Sequence, residues 1–485
     1  MIASYLEKYK KLSLPLRAGF WFAVSGILQK SIAFVTLPIF TRLLTPEEYG
    51  IVTIFNSWES ILLLLVSLNV FYGAFNTAMM DFENERDAYA SSLVSLMMVF
   101  GIFWFLIYLI FKSQFDSLME LPFLMVCVMF IQVISQGVVS IWLARCKFSY
   151  EYVSVVITTI VLFGLSPVLS ILGIELFPCY RVEAKVIGNA MAFFISGCYA
   201  AFVLFHRSRH FFTIRHWVYA IGLSSPLLIH YLSAAVLGQS DRILIGKFTG
   251  ESNVAIYAVA YSVGMMFSIV TTSACQAIVP RLFECIKTNE LKKMNGPITI
   301  MFCIVVVSLS LLMLIGPEII MVLAPSEYHE ASNVIPPIMA GLFFTFIYQV
   351  FSNVEFYYKK ISYIVLASVL TTTINFGLNY VFIPLYGFKV SAYTTLLCSI
   401  LYGFTHFLLS KKTAFQNGLY WPFSIKDLFF MGILLLFLTT IVLQIYQLVL
   451  LRYIIIATIG TIIVFNHGKI LSFANRSLRE NSVQS

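Results

Sequence analysis

The sequence predicts an all-α polytopic membrane protein of about fourteen transmembrane helices, and three observations carry that expectation. The first is composition: of 485 residues, 60% are hydrophobic and only 11% charged, and the mean hydropathy is +0.89. Soluble domains carry about 25% charged residues, so an ordinary cytosolic enzyme is excluded, as are disordered, fibrous and disulfide-rich secreted chains. The second is recurrence. Apolar runs of about 20 residues, long enough to cross a hydrocarbon layer about 30 Å thick, follow one another along the whole chain. The third is the distribution of 31 Lys and Arg against 23 Asp and Glu. In a soluble chain that +8 balance would point to nucleic acid; in this one it orients helices.

The spans are bounded by charges, Pro and Gly. The first, 18–40, follows the basic lead Lys8, Lys10, Lys11 and Arg17. No small-residue cleavage site follows its apolar stretch, so we read it as a retained span and not a signal peptide. After Arg42, Thr45-Pro46-Glu47-Glu48 reads as a capping box with Pro in the first turn, and it starts the span 49–73. Arg86 precedes 89–111, Lys112 precedes 120–144, and Arg145 and Lys147 precede 151–173. Arg181 and Lys185 mark the start of 184–206; Arg207, Arg209 and Arg215 lead into 217–239; Arg242 and Lys247 lead into 252–280. The chain from Arg281 to Lys293 separates that span from 297–320, and 331–356 follows. Lys359 and Lys360 open 361–383, Lys389 opens 390–410, and Lys411, Lys412 and Lys426 lie before 427–446. Arg452 accompanies the last span, 450–468.

With both termini inside, 22 Lys and Arg fall on the cytoplasmic side and eight on the outer side, with Lys30 inside a span. That bias is what the positive-inside rule expects. Loops are short, about fifteen residues at most, leaving no room for a soluble catalytic domain. There is no GxxxxGK[ST] loop, no GxSxG elbow, no metal-ligand spacing of Cys and His, and no basic–aromatic stretch for nucleic acid. The sequence thus suggests no cofactor and no bound metal. The eight Cys form no framework, since on this topology only Cys179 sits in an outer loop.

An internal repeat supplies the architecture. KFSYEYVSVVITTIVLFGLSPV (147–168) aligns without gaps to KISYIVLASVLTTTINFGLNYV (360–381), with 10 of 22 positions identical, among them Lys147/Lys360, Thr158/Thr371 and Gly164/Gly377. Arg42-Leu43-Leu44 echoes Arg242-Ile243-Leu244 at a similar offset. Six spans per repeat is an even number, so both repeats enter the membrane from the same side. The sequence therefore predicts two six-helix lobes, 1–210 and 211–412, related by a pseudo-two-fold along the membrane normal. Two extra helices and a tail follow over 413–485. Parallel repeats of this kind are a transporter plan.

The stretch LPIFTRLLTPEEYGIV (37–52) resembles the junction of the first two helices in Wzx-type polysaccharide flippases. SDRILIGKFTGESNVAIYAVAY (240–261) resembles the stretch that opens their second lobe, and PSEYHEAS (325–332) is similar to their outer segment before the tenth helix. These flippases form the polysaccharide branch of the multidrug/oligosaccharidyl-lipid/polysaccharide exporter (MOP) superfamily, with MATE drug exporters and lipid II flippases as sister branches. The resemblance implies a MATE-like fold in the bacterial inner membrane. It also implies alternating-access transfer of an undecaprenyl-pyrophosphate-linked oligosaccharide, such as an O-antigen unit, from the cytoplasmic to the periplasmic leaflet. Expected partners are membrane lipids, a polysaccharide polymerase and a chain-length regulator, with no nucleic acid and a monomeric state. The rivals are a cation-coupled drug exporter of the same superfamily and a membrane-embedded glycan-assembly enzyme. The enzyme reading lacks a long outer loop or a clustered catalytic set.

Ionisable residues deep in spans are costly and mark cavities or partners. Lys30 and Glu59 lie at similar depth in the first two spans, a spacing that lets them pair. Lys30 then either lines an anion-attracting cleft or completes a static ion pair, and Glu59 is an ion-coupling candidate. His230 in the seventh span and Asp241 are the other coupling candidates, each with a packing alternative; His406 is a weaker one. Arg42 and Arg242 occupy corresponding loop positions. Arg145, Arg281, Lys359 and Lys360 stand at the cytoplasmic mouth, where they either capture pyrophosphate or meet lipid headgroups. Asn375, Asn379 and Gln276 offer amides to sugar hydroxyls or to neighbouring helices.

Overall fold

The computed structural model describes residues 13–461 and Phe465. Among the described residues there is no strand, and thirteen helices are long and apolar enough to cross a membrane. The fold is polytopic and all-α, as the apolar recurrence predicts. The fourteenth expected span, 450–468, is a helix over Val449–Thr461, and apart from Phe465 the rest of it lies outside the described residues.

The chain divides into two compact units, residues 1–243 and 244–485. The first holds α1 (Leu14–Leu43), α2 (Pro46–Ser67), α3 (Gly73–Asp81), α4 (Arg86–Ile110), α5 (Lys112–Met119), α6 (Phe123–Phe148), α7 (Tyr152–Leu176), α8 (Arg181–Arg207) and most of α9 (Ile214–Thr249). The second holds α10 (Glu251–Lys287), α11 (Asn295–Leu314), α12 (Gly316–Leu323), α13 (Ile335–Tyr357), α14 (Ile361–Tyr386), α15 (Val390–Gln416), α16 (Ile425–Ile445) and α17 (Val449–Thr461). The division falls inside α9, whose 36 residues extend about 54 Å and exceed what a span needs. Pro226 within α9 and Pro280 within α10 each remove a backbone hydrogen bond from a long helix.

Local chemistry sets the ends. Thr45 caps α2: its hydroxyl accepts from the Glu48 N–H at 3.2 Å, and its own N–H donates to the Glu48 carboxylate at 2.8 Å. The second span stops at Ser67, short of the 73 expected, because Leu68 and Asn69 take left-handed backbone (φ 49 and 53). PSEYHEAS falls largely on a 3-10 segment, Ser326–Val334, that leads into α13.

In the first unit α8 packs against both α6 and α7, and α2 and α4 pack on α6. Phe75, Tyr89, Met97 and Trp142 fill one buried cluster; Phe55, Val66, Met129 and Val133 fill another. In the second unit α13 is the buried centre, in close contact with α15. A Cβ on Gly403 would lie 2.5 Å from the Phe344 carbonyl oxygen, so only glycine permits that approach. Phe343 and Phe351 of α13 pack against Phe302, Phe407 and Trp421.

Candidate functional site

Three helix ends of the first unit converge on one arginine. Arg145 sits in the last turn of α6, where a cation complements the carbonyl end of the helix dipole. Asp87 sits in the first turn of α4, where an anion is favoured. After α6 the chain turns through Tyr150 (φ 57), and the Glu151 N–H donates to the Cys146 carbonyl at 2.8 Å. That turn returns the Glu151 carboxylate to Arg145. Arg145 Nε donates to Asp87 Oδ1 at 2.8 Å, and Arg145 Nη1 donates to Glu151 Oε1. Arg207, the last residue of α8, grips both Glu151 oxygens through its two terminal nitrogens, each at 3.1 Å. Its guanidinium also lies 5.3 Å from the centre of the buried Trp142 ring. Burial alone would raise the Glu151 pKa, but Arg207 and Arg145 outweigh it and hold the carboxyl below its ordinary range.

This lattice borders a cavity of about 760 Å³ whose wall sets Arg86, Arg145, Arg207 and Arg215 beside the carboxylates of Glu83, Glu85 and Asp87. Arg86 lies over Phe148 and Arg215 over Phe82, at 5.0 and 5.1 Å. His216 bridges Glu85 and the Ser92 hydroxyl, each at 3.2 Å. Pocket volumes of 300–1,000 Å³ suit ligands of drug size. Flat guanidinium forks are the side chains that match two-oxygen anions such as carboxylate and phosphate.

Of the residues singled out in the sequence, Arg145 lines this cavity and the others are elsewhere. Lys30 is exposed on α1, and the expected Lys30–Glu59 pair does not form among the described residues. Glu59 instead sits buried on α2 with Gln132 of α6 as its hydrogen-bonding neighbour. Equal depth on adjacent helices did not bring the two onto facing surfaces. Arg42 donates to the Pro38 carbonyl at 2.8 Å. Asp241 and Arg242 are both buried; the Asp241 carboxylate accepts from the Arg242 backbone N–H at 2.8 Å and from its Nη1 at 3.0 Å. His230 is buried beside the Tyr231 ring. In the second unit Arg281 is half-buried, Lys359 and Gln276 are exposed, and the Lys360 N–H donates to the Glu355 carbonyl. Asn375 and Asn379 are buried and bonded to each other, Asn375 also to Thr395 and Asn379 also to Thr394. Their amides join α14 to α15.

The second unit also holds a buried polar group that the sequence reading missed in part. Glu355 and His406 have no exposed surface, and His406 Nδ1 lies 3.1 Å from both Glu355 oxygens. The Ser410 hydroxyl donates to Glu355 Oε1 at 2.9 Å, and the Tyr348 and Tyr402 rings flank the imidazole. In the sequence Glu355 falls at the end of its apolar run, close to Lys359 and Lys360, where it reads as part of a polar loop.

A protein of the Lsg locus of Haemophilus influenzae is 23% identical over 385 residues, covering 73% of this chain and 87% of the relative. Among solved structures, the lipid II flippase MurJ in an inward closed conformation matches with a TM-score of 0.70 at 14% identity, over 93% of this chain and 99% of that one. An inward-facing MATE multidrug resistance transporter gives 0.66 at 13% identity, over 80% and 96%. A MOP superfamily transporter from Pyrococcus furiosus gives 0.60 at 14%, over 83% and 97%. The fold is therefore the one these MOP-type structures share. Residues 16–286, more than half of the chain and including both 37–52 and 240–261, match the family described as polysaccharide biosynthesis protein, and the chain belongs to that family.

Proposed function

We propose that this chain is a flippase, not an enzyme, that moves a polyprenyl-pyrophosphate-linked oligosaccharide from the cytoplasmic to the periplasmic leaflet of a bacterial inner membrane. The observation that carries the reading is the arginine-lined cavity at the helix ends of the first unit of a multi-pass, polysaccharide-family protein. By the charge bias those helix ends face the cytoplasm, where a lipid-linked sugar unit is assembled.

A diphosphate cannot cross a hydrocarbon layer unassisted. Arg145 and Arg207 carry forks that fit its oxygens, and Arg215 adds positive charge on a wall where Arg86 is paired with Glu83 at 3.5 Å. Arg281, Lys359 and Lys360 belong to the same cytoplasmic face by the charge count and are proposed to draw the headgroup in. Lys30, Arg42 and Arg242 are retained as proposed stations along its path, and the polyprenyl tail stays in lipid. Transfer proceeds by alternating access of two six-helix lobes, with 413–485 as an addition to them. A membrane potential negative inside favours outward movement of the anion by about 2.3 kcal/mol per charge per 100 mV. Glu59, Asp241 and His230 are the proposed sites for any coupling ion. Consumption of the flipped unit by a polymerase with its chain-length regulator would keep the reaction running outward, and the working unit is proposed to be a monomer.

The test is deletion of the gene, followed by measurement of lipid-linked oligosaccharide on each leaflet and complementation with wild type or Arg145→Ala. The expected result is a complete unit held on the cytoplasmic leaflet, loss of surface polysaccharide, and at least tenfold weaker rescue by Arg145→Ala. Normal lipid-linked sugar with new sensitivity to cationic drugs would overturn the reading in favour of drug export.

A further inference from the structure

The arginines that the proposed function assigns to the diphosphate are not idle. Glu151 holds both: it bonds Arg145 through one oxygen and Arg207 through two, which is the bidentate pattern a phosphate would adopt. Glu151 is not itself part of the cavity wall, whereas Arg145, Arg207 and Ser149 are. Its carboxylate therefore competes for the guanidinium donors and not for the cavity volume. Each arginine also has a second support. Arg145 is fixed by Asp87 at 2.8 Å, and Arg207 lies over the buried Trp142 ring at 5.3 Å. Both would stay near the cavity if Glu151 let go, so little ordering cost would fall on an incoming anion.

We propose that Glu151 is an internal substitute for the diphosphate: it occupies the Arg145–Arg207 pair in the unloaded protein and is displaced when a phosphate-bearing headgroup enters the cavity. This rests on the reading that the cavity receives an anionic headgroup. Glu151 thereby sets specificity. A weak single-charge anion does not displace a carboxylate already bound by three hydrogen bonds, while a diphosphate, with more charge and more acceptor oxygens, does. The geometry of the turn supports the role. Tyr150 in left-handed backbone and the Glu151 N–H to Cys146 bond place the carboxylate in the turn between two helices and not within a helix.

The test is calorimetric titration of inorganic pyrophosphate into the purified full-length protein in neutral detergent, with inorganic phosphate as the comparison. Glu151→Gln, which keeps the shape and removes the charge, is expected to bind pyrophosphate at least tenfold more tightly than wild type, with a smaller gain for phosphate. Adding Arg207→Gln to that variant is expected to abolish the gain. Unchanged or weaker binding by a Glu151→Gln protein that melts like wild type would overturn the proposal. Should Glu151→Gln not fold, Glu151→Asp is too short to reach both arginines and is expected to show a smaller gain in the same direction; no gain overturns the proposal equally. Repetition in nanodiscs separates the sources of phosphate. A gain that survives in phosphatidylglycerol supports the diphosphate, and a gain abolished there but present in phosphatidylcholine assigns the pair to a lipid headgroup and overturns the diphosphate assignment. A tenfold gain with normal leaflet distribution in the deletion strain would leave this site standing while removing the flippase reading.

Discussion

The lattice at the helix ends of the first unit and the pair inside the second use the same chemistry, a carboxylate held by a basic side chain, in opposite surroundings. Arg145, Glu151, Arg207 and Asp87 keep between 11% and 35% of their side-chain surface. Glu355 and His406 keep none. In the first case water is at hand to replace a partner, so the bonds are exchangeable and each is weak in net terms. In the second no replacement exists, and loss of one partner strands the other without water. Burial thus separates groups able to take part in binding from groups that hold helices together.

The comparison can be broken most directly at His406. His406→Ala leaves Glu355 buried with Ser410 as its remaining side-chain partner, and the expected loss is about 3–5 kcal/mol, read as a large fall in melting temperature and in yield. Glu355→Met combined with His406→Phe is expected to recover most of that loss, since an apolar pair removes the need for the bonds. A single-variant loss below about 1 kcal/mol would mean that water reaches the pair, and the distinction between the two regions would fall.

Close helix approach is what seals the pair, so Gly403 sharpens the contrast. Gly403→Ala presses a methyl on the Phe344 carbonyl and is expected to cost about 1–3 kcal/mol in unfolding experiments. Gly164, in the repeat, has nothing within 4 Å of the corresponding position, and Gly164→Ala is expected to be neutral or stabilising by up to about 1 kcal/mol.

These residues also show what a sequence can convey. Spans are legible because an apolar run of the right length has few other fates. Arg145 is legible as a cation at a helix end, but the lattice around it is not: Asp87 is 58 residues from Arg145 and Arg207 is 56 from Glu151, so no periodicity links them, and Glu151, six residues on, is returned to Arg145 only by the turn at Tyr150. The repeat is legible as identity but not as depth. The gapless match sets Tyr150 against Tyr363, while the left-handed turn residue equivalent to Tyr150 is Lys359 (φ 55), four residues earlier. An apolar helix can slide by one turn and keep the same buried face, and Thr158, Thr159, Thr371 and Thr372 are all buried.

The lattice should respond to acid and salt in a defined way. Arg207 and Arg145 hold Glu151 below its ordinary carboxylate range. A group depressed in the folded state contributes its stability fully above the unfolded pKa and loses it only as pH falls through the folded value. Melting temperature should therefore show no step from Glu151 between about pH 8 and pH 5, with the loss confined to more acidic solution. Salt should weaken the lattice only modestly, by about 1 kcal/mol per pair, because its side chains are partly buried and so partly shielded from screening. A Glu151-dependent step near neutral pH, seen in wild type and absent in Glu151→Gln, would show that the arginines are not its partners in solution.

The smallest expected effect concerns Lys30 and Glu59, which equal depth makes look like a pair. Lys30 is exposed, and Glu59 has turned to Gln132. A double-mutant cycle with Lys30→Met and Glu59→Gln isolates any energy between them, because each single change removes only its own side of the interaction. The expected coupling is below about 0.5 kcal/mol, the level found for residues without shared partners. Lys30→Met alone should then leave unfolding nearly unchanged, since it breaks no ion pair with Glu59. A coupling of about 1 kcal/mol or more would restore the ion pair. It would also place Glu59 with Glu355 among the carboxylates that hold helices together, leaving the arginine lattice as the exchangeable site.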